Sequence, residues 1–167
     1  MPETLLPDEI YELARRVIEE NAALGRTIVV AESCTGGLVS AALTEIAGSS
    51  AVFERGFVTY SNEAKQEQLG VPVDIIDTFG AVSIACAWAM AQGAIKHSKA
   101  DVAVAISGIA GPDGGTDQKP VGTVVFARVL RTDGDEGSDA EEKRFADTTR
   151  AGVRFQATLV ALELLLP

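Results

Sequence analysis

Thr27-Ile28-Val29-Val30-Ala31-Glu32-Ser33-Cys34-Thr35-Gly36-Gly37-Leu38 decides the fold. Thr27 to Ala31 is a short run rich in β-branched residues, which reads as a strand buried on both faces. From Leu38 to Ala47 the pattern turns helical. Glu32 to Gly37 is therefore a strand-to-helix turn. In open α/β sheets such turns lie at the carboxyl ends of the strands, where ligands bind.

Working outward, Asp8 opens a helix that Gly25 ends. Its residues Ile10, Leu13, Ala14, Val17 and Ile18 recur at helical spacing, with Glu12, Arg15, Arg16 and Glu19 opposite. Downstream, Gly48-Ser49-Ser50 breaks the chain and Val52 to Tyr60 reads as a second strand. Asn62 to Leu69 reads as a short helix stopped by Gly70 and Pro72, and Val82 to His97 as an alanine-rich helix. Asp101 to Ser107 is a third strand, feeding a Gly- and Pro-rich loop from Gly108 to Gly122. Thr123 to Arg131 and Lys143 to Thr148 read as two further strands. Between them, Thr132 to Ala140 is acidic and Gly-rich and reads as a mobile, solvated loop. Thr149 to Leu166 is a final helix, with Phe155, Leu159, Leu162 and Leu166 on one face. Alternating strands and helices predict a three-layer α/β/α sandwich, and the late hairpin makes its sheet mixed.

Bulk properties narrow the function. A chain of 167 residues with 47% hydrophobic and 23% charged residues fits a single domain, residues 1–167, around one core. A net charge of −10 argues against nucleic acid and against an anionic membrane surface as partners. No apolar run approaches the roughly 20 residues that span a bilayer, and Met1 to Asp8 lacks signal-peptide character, so a cytoplasmic location is expected. Cys34 and Cys86 fit neither a zinc motif nor a disulfide scaffold.

The turn holds the strongest chemical signal. Ser33 and Thr35 suit plain helix capping, but also a nucleophile beside free helix amides, which can hold an oxyanion or a phosphate. Gly36 and Gly37 permit close approach of a substrate. Cys34 is a rival nucleophile, though a small core residue is its more ordinary role. Lys65 is a candidate base for Ser33 if burial depresses its pKa, and Tyr60 could orient or relay protons. Ser107, Gly108, Gly111 and Gly114 lie in the loop after the third strand, where backbone can close on a ligand; a P-loop ending is absent. The sole histidine, His97, ends a helix and reads as a capping group, which leaves a Ser-His-Asp triad without its base. Arg150 and Arg154 lie one turn apart at the start of the last helix and could clamp an anion. Leu164-Leu165-Leu166-Pro167 is an apolar end suited to docking on a core or on a second subunit, so a homo-oligomer is expected.

Six motifs occur in order: Ala31-Glu32-Ser33-Cys34-Thr35-Gly36-Gly37, Gly48-Ser49-Ser50, Tyr60-Ser61 with Lys65, Gly80-Ala81-Val82-Ser83, Gly108-Ile109-Ala110-Gly111-Pro112 and Lys119-Pro120-Val121-Gly122. Together they resemble the CinA C-terminal domain family, whose stand-alone members include nicotinamide-nucleotide amidases. The resemblance runs roughly from Ile10 to Leu165. It implies hydrolysis of the carboxamide of nicotinamide mononucleotide, giving nicotinic acid mononucleotide and ammonia. It implies a serine nucleophile at Ser33 and a lysine at Lys65 with Tyr60 close by, and no metal or other cofactor. Ser107 stands where the family commonly has Thr, and Thr148-Thr149-Arg150 where Gly-Asp-Arg is usual. The reading from the residues alone leaves two alternatives open: a non-catalytic pyridine-nucleotide-binding or competence-associated module, and an amidase for another small amide.

Overall fold

The computed structural model describes residues 3–132 and 138–167. Five strands form one sheet in the order β2-β1-β3-β4-β5. They are β1 (Ile28–Glu32), β2 (Phe53–Val58), β3 (Val102–Gly108), β4 (Thr123–Leu130) and β5 (Asp139–Arg144). β2, β1 and β3 are parallel, whereas β4 and β5 run antiparallel to their neighbours, so the sheet is mixed as expected.

Helices cover both faces. α1 (Asp8–Leu24), α2 (Leu38–Thr44) and α6 (Arg150–Leu165) form one layer; α3 (Asn62–Leu69), α4 (Val73–Phe79) and α5 (Ile84–Lys96) form the other. The period of two in a strand assigns the side chains. Ile28 and Val30 of β1 join the α1–α2–α6 core, and Val29 and Ala31 join the α3–α5 core. That second core is built from small residues: Ala31, Ala103 and Ala105 of the sheet face Ala87, Ala91 and Ala94 of α5. Helix and sheet can therefore approach closely, and α5 also packs closely on α3, where a methyl added at Gly93 would collide with the Leu69 carbonyl.

Several elements differ from the sequence reading. α4 was not expected. Pro72 precedes it and Asp74 sits in its first turn, both proper start signals, but Val73, Ile75, Ile76 and Thr78 are poor helix formers and only Ile76 is buried. β5 is Asp139–Arg144 rather than Lys143 to Thr148. The hairpin register sets this, pairing Arg128 with Asp139 and Thr123 with Arg144, after which the chain leaves the sheet. Of the loop expected from Thr132 to Ala140, Asp139 and Ala140 thus belong to β5, and residues 133–137 lie outside the described residues. The helix expected from Val82 starts at Ile84, capped by the Ser83 hydroxyl, which accepts from the Cys86 amide. The C-terminal leucines are not an exposed patch: Leu165 is fully buried, and Leu164 and Leu166 pack on the α1–α6 core. They dock within the chain, so they give no ground for a homo-oligomer. No helix among the described residues is long and apolar enough to cross a membrane.

Candidate active site

β1 ends in two consecutive side chains that face opposite layers. Glu32 follows the parity of Val30 and turns to α2, where its carboxylate accepts from the Val39 amide at 2.9 Å, the Ser40 amide at 3.0 Å and the Ser40 hydroxyl at 2.8 Å. A fully buried carboxylate is tolerable there because the amides at a helix N-terminus hold it. Ser33 follows Ala31 and turns to the α3–α5 side. Neighbouring strands fix the end of β1: the Thr59 amide donates to the Glu32 carbonyl and the Ser33 amide to the Ile106 carbonyl, both at 2.9 Å.

The layer that receives Ser33 supplies Lys65. The Ser61 hydroxyl caps α3 by accepting from the Ala64 amide, which places Lys65 one turn in and pointing at the sheet. Lys65 is 1% exposed and Ser33 7%. Lys65 Nζ lies 2.9 Å from Ser33 Oγ, 2.9 Å from the Thr59 carbonyl oxygen and 3.1 Å from that of Tyr60. Burial lowers the Lys65 pKa from its ordinary 10.5, against the smaller opposing pull of Cys86 and Cys34. A neutral amine has two N–H groups and one lone pair. With both N–H groups spent on the two carbonyls, the lone pair is left for the serine proton.

Tyr60 meets Lys65 through its carbonyl, not its ring. Tyr60 is 60% exposed, and its phenol oxygen accepts from Arg150 Nη2 at 3.1 Å. Arg150 Nη1 donates to the Gly111 carbonyl at 2.7 Å, so one guanidinium ties the 108–116 loop to the Tyr60 ring. Gly111, with φ of +77°, packs so tightly on Val121 that any side chain would clash. A Cβ at Gly108 would crowd Val124 and the Cys34 sulfur, whereas Gly114 is exposed in the loop. Ser107 lies beside Ser33 across the parallel ladder; its hydroxyl donates to the Ala81 carbonyl at 2.8 Å. Lys119 Nζ donates to the Phe79 carbonyl at 2.7 Å, fastening the loop on its other side.

In the turn, Cys34 is a core residue. Burial pushes its thiol up to about 12, which removes it as a nucleophile. The Gly36 amide donates to the Ser33 carbonyl at 3.0 Å and so is already engaged, whereas the Thr35 amide has no partner among the described residues. The Thr35 and Thr59 hydroxyls are likewise buried without a partner among the described residues. The anion clamp expected of Arg150 and Arg154 does not form as a pair. Arg154 turns away from Arg150, and its Nε and Nη2 donate to the Cys34 and Thr35 carbonyls at 3.1 and 3.3 Å. His97 stands elsewhere, its Nδ1 2.8 Å from the Gly93 carbonyl at the end of α5. No group of three or more His, Cys, Asp or Glu side chains suited to a metal occurs among the described residues.

Sequence reasoning missed the role of one group here. Glu32 was visible in the motif, and a carboxylate just ahead of a helix start is a recognisable signal, but its burial was not.

Known proteins resemble this chain over most of its length. Nicotinamide-nucleotide amidohydrolase PncC of Escherichia coli (strain K12) is 52% identical over 157 residues, covering 94% of this chain and 93% of that protein. A CinA-like protein of Syntrophotalea carbinolica is 50% identical over 153 residues, 92% of this chain but 36% of that longer protein. The crystal structure of the competence/damage inducible protein CihA from Agrobacterium tumefaciens superposes with a TM-score of 0.92 at 50% identity, covering 97% of this chain and 96% of that one. The family model for the CinA C-terminal domain matches residues 10–167, and the chain belongs to that family.

Proposed function

We propose that this chain is a serine amidase that deamidates nicotinamide mononucleotide, with Ser33 as nucleophile and Lys65 as its base. The observation that carries the reading is the environment of Lys65 Nζ, buried 2.9 Å from Ser33 Oγ with two backbone carbonyls as its other partners. The name of the 52%-identical Escherichia coli relative supports the choice of substrate.

Neutral Lys65 takes the Ser33 proton as Oγ attacks the carboxamide carbon. The oxyanion of the tetrahedral intermediate accepts from the Thr35 amide, at the N-terminal approach to α2. The Lys65 ammonium then protonates the amide nitrogen and ammonia leaves. Lys65, neutral again, deprotonates the water that attacks the acyl-serine, then returns that proton to Ser33 Oγ as it leaves, which frees the nicotinate carboxylate and restores both residues. Arg150, which has no carboxylate partner among the described residues, together with the 108–116 loop, would hold the phosphate.

The test is ammonia release from nicotinamide mononucleotide, without added metal, by wild type and Ser33→Ala. Wild-type turnover that drops by at least ~10³-fold in the variant supports the reading. Equal turnover in both overturns the nucleophile, and a wild type active only on other amides overturns the substrate.

A further inference from the structure

We infer that Arg154 is a positioning residue for catalysis, aiming the Thr35 amide at the oxyanion from behind the nucleophile turn. This rests on the serine amidase reading above.

Arg154 reaches from the second turn of α6 to the backbone of the turn. Nε donates to the Cys34 carbonyl at 3.1 Å and Nη2 to the Thr35 carbonyl at 3.3 Å. A trans peptide is planar, with its C=O and N–H pointing in opposite directions. Holding the Cys34 carbonyl toward α6 therefore sends the Thr35 N–H, in the same peptide, away from α6. No hydrogen bond engages that amide among the described residues, while the next one along is spent on the Ser33 carbonyl.

The same contact strengthens the donor. A cation on a carbonyl polarises its peptide, and linked hydrogen bonds reinforce one another. Arg154 keeps its charge for this purpose: among the described residues it has no ion-pair partner, although the chain carries 24 acidic residues. Gly36 holds the turn at φ of +59°, a left-handed conformation that glycine adopts without strain, with Arg154 Nη2 alongside it.

Arg154 touches no reacting atom in this account, so its loss should appear in kcat with KM nearly intact. Removing an oxyanion donor outright costs about 10²–10³ in kcat; misaiming one in Arg154→Met should cost about 10- to 100-fold. Arg154→Lys keeps the charge but cannot serve two carbonyls in one plane, and should recover only part of the rate. Added guanidinium ion should partly restore Arg154→Gly, which a merely structural role would not predict. The assay runs beside wild type and Ser33→Ala, and Arg154→Lys stands in where a larger change prevents folding. An inactive wild type removes the amidase reading itself. An active wild type, silenced by Ser33→Ala, with unchanged kcat in the Arg154 variants overturns this inference alone. So does a loss confined to KM, or a kcat loss that follows thermal stability and resists guanidinium.

Discussion

Lys65 can serve as a base only because of where its amine is held, and pH reports on that directly. Burial lowers its folded pKa below 10.5, while the unfolded chain keeps the ordinary value. Between the two, the unfolded state binds more protons, so this group makes stability rise with pH across that window. Below the window the buried cation is a cost. Urea unfolding of wild type against Lys65→Met should therefore show the difference moving in favour of wild type as pH rises toward 10.5. The rate should follow the neutral amine, with an acid limb centred below 10.5, and Lys65→Arg should be inactive because guanidinium does not deprotonate. An acid limb at or above the ordinary lysine value would contradict the assignment. At this scale the sequence was half legible. Ser33 stood out because it lies in the turn between a β-branched run and a helical pattern, just ahead of Gly36 and Gly37. Lys65 was a candidate, but its burial depends on α3 docking against the sheet, a contact between distant segments. Arg154 was read as a ligand clamp with Arg150 because spacing shows which side chains share a helix face, and nothing of what lies opposite that face.

At the scale of elements, two joints hold Ser33 and Lys65 in place. The first is the buried Glu32 carboxylate on the start of α2. Glu32→Gln places an amide NH₂ where donors converge, and should cost about 2–4 kcal/mol in urea unfolding. A loss under about 0.5 kcal/mol would mean that α2 is held by its apolar face alone. The second joint is the α3–α5 contact at Gly93. Gly93→Ala should push α3 outward, costing about 1–3 kcal/mol, and should also lower kcat, because α3 carries Lys65. Normal kcat in a destabilised Gly93→Ala would show that the dyad does not depend on this spacing. Elements with an apolar face were legible from their period. α4 and β5 were not: α4 buries one residue, and β5 is an outer strand of charged residues placed by pairing with β4.

Across the whole molecule, a net charge of −10 stands against a phosphate-bearing substrate. Long-range repulsion is screened over about 10 Å at 0.1 M salt, whereas a contact with Arg150 is screened less. Raising salt from low to physiological strength should therefore raise kcat/KM by about twofold, the reverse of a cation-steered enzyme. A fall would mean that Arg150 and Lys119 dominate the approach field. The three-layer plan itself was legible early, because alternating strands and helices leave few ways to bury both faces of a sheet. That plan also bears on how the gene can change. Since Glu32 and Ser33 serve opposite layers, losing or gaining one codon within β1 would exchange their directions. The nucleophile would then be delivered to α2 and the carboxylate to Lys65, in an otherwise intact strand. Substitutions along β1 can drift, but its length is inherited as a single character, and indel scanning should find residues 28–33 the most intolerant stretch of the chain.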